Sequence, residues 1–140
     1  MKKLFYTIWV DAIQKAKSPE NQNRDMWKFS TMIGISMAMA MNFITFMAIL
    51  QRNILQKSFY NLELNIFPGT KLNGMISFMI LFLLPPVIMN YLLIFRNKRY
   101  ELLVKKYKYH NGKVFMGYFL GSIALPFVLL GIGYIFENYL

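Results

Sequence analysis

This sequence predicts an all-α, polytopic integral membrane protein, with three transmembrane helices preceded by an amphipathic helix at the membrane surface. Three observations carry the prediction. Apolar residues make up 56% of the 140 and gather in three blocks. The blocks at 29–50, 73–95 and 114–136 each run 22 or 23 residues without one Asp, Glu, Lys, Arg or His. A bilayer core takes about 20 residues of helix, and a buried soluble helix of that length seldom lacks a charge. The third observation is the placing of the 16 Lys and Arg residues, which crowd two of the segments between and before the blocks. One membrane domain, 1–140, accounts for the chain at this length.

The first element lies at 1–18. "MKKLFYTIWVDAIQKAKS" opens like a signal peptide, but Asp11 cuts the apolar run and no small-x-small cleavage site follows. Leu4, Phe5, Ile8, Trp9, Ala12, Ile13 and Ala16 recur at helical spacing along one stripe. A helix lying in the headgroup layer with Trp9 as its anchor fits this pattern. Packing of the same stripe on a partner, or on the cytoplasmic ends of the other helices, is the alternative. Pro19 then ends the helix and 18–25 forms a polar link.

The first spanning helix, 29–50, offers small residues on one face: Ser30, Gly34 and Ala38 at intervals of four, with Ser36 and Ala40 on the neighbouring row. The third, 114–136, carries Gly117 and Gly121 in a G-x-x-x-G. Such faces let helix backbones approach closely in lipid. Asn42 is a polar side chain inside the first block, and Asn90 and Ser122 play that part in the second and third. The five methionines of the first block read as an adaptable apolar surface.

The second spanning helix, 73–95, contains "ISFMILFLLPPVIMNYLLIF", with Pro85 and Pro86 at its centre. Without N–H groups these prolines deprive the Leu81 and Phe82 carbonyls of helical partners and bend the chain. Leu81 and Asn42 each lie eight residues from the outer end of their block, so the Asn42 amide is expected to face helix two and cap those carbonyls. Asn90 is expected level with Gly34 and near Gly117 and Gly121. Pro126 adds a second kink in helix three, at nearly the same depth as the first. The segment "LLVKKY" is expected to continue helix two as a cytoplasmic extension, up to the turn "HNGK".

Orientation follows from the cations. Residues 1–28 hold six Lys and Arg and 96–113 hold seven, whereas 51–72 hold three and the chain after Phe136 none. Cytoplasmic flanks keep the excess, which puts the N-terminus in the cytoplasm and the C-terminus in the periplasm of a bacterial inner membrane. Trp9, Arg96, Lys98, Arg99, Lys105, Lys106 and Lys108 are the expected membrane-surface residues, attracted to anionic lipid. Tyr100, Tyr107 and Tyr109 read as interface anchors among them. The net charge of +10 is thereby a lipid signal, and no nucleic-acid partner is expected. The outer loop segment "FYNLELNIF" alternates apolar and polar residues, yet an extended surface loop is the preferred reading.

Chemistry finds little to work with. There is no cysteine, which excludes disulfides, thiolate catalysis and cysteine-based metal sites. One histidine, His110, sits in a turn, and all six acidic residues lie outside the blocks. No nucleophile elbow, phosphate loop, zinc-protease or dinucleotide motif is present. An enzyme would have to work through Asp11, Glu20, Asp25 or Glu101, whose spacing asks for nothing. No cofactor is expected. The chain therefore reads as an accessory or scaffolding subunit that binds other membrane subunits or itself. The rival is an oligomeric transporter, scramblase or pore, with Asn42 and Asn90 as its best support.

Overall fold

The structure, a computed structural model, describes residues 1–55, 66 and 71–139. All regular structure among them is helical: α1 (Lys2–Ala16), α2 (Trp27–Leu50), α3 (Leu72–Phe82), α4 (Leu84–Asn90), α5 (Arg99–Lys106) and α6 (Lys113–Tyr139). Three helical stretches are long and apolar enough to cross a membrane: Arg24–Ile54, the one beginning at Leu72, and Lys113–Asn138. The segment "FYNLELNIF" lies, except for Ile66, outside the described residues.

Each break in the helices has a local cause. After α1 the Asn21 side-chain amide donates to the Ala16 carbonyl (2.8 Å) and closes the helix end. In the stretch that begins at Leu72, the expected helix two, the interruption is at Leu83, with φ −92° and ψ −39°. Pro85 and Pro86 then fall in the first turn of α4, where a missing N–H is not needed. The Leu83 amide donates to Met79 O (2.8 Å) and the Val87 amide to Leu83 O (3.1 Å), so the ladder resumes on both sides. The double proline is thus the start of a helix as much as the bend in one. α6 runs without a break past Pro126.

α2 is the central element. The pair α3–α4 packs on it from one side and α6 from another, without extensive packing of those two on each other. α1 packs on α2, α5 and α6 at the end where the basic residues gather. The core there is Ile8, Trp9, Ala12, Ile13, Ile35, Ile94 and Tyr100.

This corrects the expectation that the apolar stripe of α1 is turned outward with Trp9 as a membrane anchor. Trp9 is 0% exposed, so its ring is a core element and not a membrane anchor. Ile8 through Ile13 are all buried, which closes the whole circumference of α1 and not one stripe only. The helix sits on the ends of the other helices, the arrangement given above as the alternative.

Helix two does not continue into "LLVKKY". Its last turn widens at Tyr91–Phe95, Arg96 is extended (ψ 130°), and Asn97 and Lys98 are both left-handed (φ 56° and 53°). Two successive residues in that region cannot belong to a right-handed helix. α5 is therefore a separate short helix, turned so that Tyr100 is buried.

Asn42 also departs from expectation. Its amide donates to Ser122 Oγ (3.0 Å) and to Tyr118 Oη (3.4 Å), both on α6, instead of facing helix two. The two helices nevertheless meet at the relative level expected, since the next residues, Phe43 and Phe82, meet ring to ring at 5.7 Å. Asn42→Leu should cost about 0.6 kcal/mol, the usual size of an interhelical hydrogen bond in lipid. A double-mutant cycle with Ser122→Ala in mixed-micelle unfolding checks it, and additive effects would deny the bond.

Asn90 is 0% exposed and bonds to α2, donating to Ser36 Oγ (3.0 Å) and reaching Met39 Sδ (3.3 Å). Gly117 and Gly121 take no part in this contact, and a Cβ at either would meet nothing within 4 Å. The face of α6 that packs on α2 is the row Phe115, Tyr118 and Ser122, with the Phe115 ring 3.4 Å from the place of a Cβ on Gly34. At about 3.6 residues per turn, Gly117 points largely away from that row. Ala38, 0% exposed, is buried as its small-residue face implies, whereas Ser30 stays exposed.

Candidate functional site at the basic end

The polar centre of this end is Asp11, 0% exposed on a helix that is otherwise apolar at that level. Oδ1 accepts the backbone amides of His110 (2.8 Å) and Gly112 (3.0 Å). Oδ2 accepts those of Val114 (2.9 Å) and Phe115 (3.1 Å). A helix leaves its first amides without partners, and its N-terminus carries partial positive charge. One buried carboxylate from α1 meets both needs for α6 and also holds the turn before it.

That turn requires its glycine. Asn111 and Gly112 are left-handed (φ 57° and 77°), and a Cβ on Gly112 would stand 2.9 Å from Lys15 Cγ. Any side chain here is strained by its backbone and blocked by α1. The sequence "HNGK" is a turn as expected, but its tightness serves to deliver amides to Asp11. His110 contributes through its backbone, and its side chain is exposed.

Sequence reasoning passed over Asp11 because a lone acid on an amphipathic helix is usually solvated. One signal was available. Val10 breaks the one-stripe pattern, so Ile8–Ile13 is apolar around the helix except at Asp11. A helix of that kind is buried, and its carboxylate then needs donors.

Beside the clasp lies an aromatic cluster. Trp9 meets Phe95 edge to face at 5.6 Å, and Trp27 meets Tyr100 at 5.2 Å and Phe95 at 6.2 Å. Lys17 Nζ stands 4.1 Å over the Trp27 ring, and Lys28 Nζ lies 5.6 Å from Trp27 and 5.5 Å from Tyr100. Cations at such distances are held by the ring quadrupole. The Trp9 indole N–H is buried without a partner among the described residues.

Tyr100 therefore belongs to the core and does not anchor an interface; Tyr107 is half-buried against Tyr6 (5.8 Å). Arg96, Lys98, Arg99, Lys105, Lys106 and Lys108 are all exposed, as surface cations should be. An open groove of about 420 Å³ runs between the first turn of α2 and the end of helix two, lined by Lys28, Phe29, Met32, Tyr91, Phe95, Lys98 and Tyr100. Among the described residues no three His, Cys, Asp or Glu side chains come together. Both Asp11 oxygens are taken by amides, which leaves that carboxylate no lone pair aimed at a substrate. What the arrangement can do is structural and electrostatic: fix α1 to α6, and present cations beside an apolar groove. No family model, curated protein or solved structure matches the chain.

Proposed function

We propose that this chain is a three-helix integral protein of a bacterial inner membrane, with its N-terminus and basic end on the cytoplasmic leaflet and its C-terminus in the periplasm. It works as a non-catalytic accessory or scaffolding subunit of a larger membrane assembly, formed with other subunits or with copies of itself. The observation that carries the role is the face of α6 turned away from α2. Only 6% of the most apolar stretch of α6 is buried within the chain, against 22% for each of the other two spanning helices. That face contains Gly117 and Gly121, where backbone is open to a neighbour.

The rival reading, a self-assembled pore or transporter, needs polar side chains left to line a path. Here Asn42 is bonded to Ser122, and Asn90 to Ser36. These two pairs join helix to helix, which favours a packing role.

The test uses the open glycines. In mild detergent the full chain should co-purify with a membrane partner or as an oligomer. Gly117→Leu with Gly121→Leu should abolish this while shifting the unfolding midpoint little, since the added side chains meet nothing within the chain. Association retained by the double variant, or no association by the wild-type chain, contradicts the proposal.

A further inference from the structure

We propose that the groove at the basic end is a binding site for one anionic phospholipid, its phosphate between Lys28 and Lys98 and an acyl chain along Phe29, Met32 and Tyr91. The site rests on the membrane reading above and adds a specific place and ligand to it. Its walls are apolar and outward-facing, with Phe29 63% and Tyr91 55% exposed, and no carboxylate among the described residues lines it. Its rim carries two lysines from different elements, neither in an ion pair among the described residues. An amphiphile with an anionic head and an apolar chain matches that division, and a free anion would use only half of it.

The backbone sets this geometry. The left-handed pair Asn97 and Lys98 ends helix two abruptly and brings Lys98 to the groove that Lys28 enters from α2. Lys28 is itself positioned by the rings of Trp27 and Tyr100. Tyr100 belongs to the groove wall as well as to the core, so the groove is continuous with the rigid cluster behind it.

Trp27 reports on the groove, because its ring lies 5.2 Å from that of Tyr100. Trp9, the second of the two tryptophans, lies behind another wall residue, Phe95, at 5.6 Å, so the measurement is made in a Trp9→Phe background. The full chain is reconstituted in vesicles of phosphatidylcholine and phosphatidylglycerol, with brominated chains on one lipid at a time. Quenching of Trp27 by brominated phosphatidylglycerol should exceed that expected from random mixing. Lys28→Gln with Lys98→Gln should lower the preference about thirtyfold, each lysine contributing about fivefold. Lys98→Gln alone should lower it about fivefold, which keeps the test open if Lys28→Gln disturbs the Trp27 stack. Lys105→Gln with Lys108→Gln removes the same charge elsewhere and should change it by less than about twofold, since distant exposed charges are screened.

Equal quenching by the two lipids, or equal loss in the two double variants, overturns the site while leaving the membrane reading intact. Displacement of the lipid preference by millimolar inorganic phosphate overturns the lipid as occupant. Absence of quenching by brominated chains on either lipid overturns the membrane reading together with the site.

Discussion

Asp11→Ala should destabilise the folded chain by about 3–5 kcal/mol, one of the two largest effects expected of a single substitution. Hydrogen bonds to a charged group contribute about 1.5–3 kcal/mol each, and those sharing one carboxylate do not add in full. Removing the carboxylate strands four amides at the junction of α1 and α6. Asp11→Asn should be nearly as severe, because its amide group would point N–H donors at two of those amides. Detergent-induced unfolding followed by circular dichroism measures the loss, and tryptic cutting near Arg24 reports whether α1 has come away. A cost below about 1 kcal/mol for Asp11→Ala would mean that α1 is held by its apolar contacts alone.

The contrast between Asp11 and the three apolar blocks shows what sequence can disclose here. A spanning helix must be apolar around its whole circumference, so 29–50, 73–95 and 114–136 are legible without knowing any neighbour. The register of one block against the next is legible by counting residues, and Phe43 meets Phe82 at the level the count places them. The direction a side chain faces is not. Asn42 and Phe43 differ by about 100° around α2, and only the position of α2 between two helices decides that Asn42 turns to Ser122. Asp11 is harder still, since its partners lie 99 to 104 residues away and are backbone amides, which carry no residue signature. The break after Phe95 had no glycine or proline to mark it, because Asn97 and Lys98 adopt left-handed conformations as ordinary residues.

Trp9→Ala carries the second large effect, about 3–5 kcal/mol for emptying a buried indole site. Trp9→Phe should cost far less, because the indole N–H has no partner to lose among the described residues and the ring contact with Phe95 survives. This pair separates a core tryptophan from a headgroup anchor. An anchor truncated to alanine would weaken attachment of α1 to lipid and leave the unfolding midpoint of the chain in place. Unfolding midpoints for the two variants decide it, and equal, small shifts would restore the surface-helix reading.

The central claim is that the end built from α1, α5 and the Asp11 clasp sits in the cytoplasm and the opposite loop outside. Single cysteines can be placed at Ser18 and Asn97 on the basic end and at Ser58 in the segment between the first two apolar blocks. The chain has no native cysteine to interfere. In intact cells an impermeant thiol reagent should label Ser58→Cys and spare Ser18→Cys and Asn97→Cys until the membrane is opened. Labelling of Ser18→Cys and Asn97→Cys in intact cells, with Ser58→Cys protected, would contradict the account.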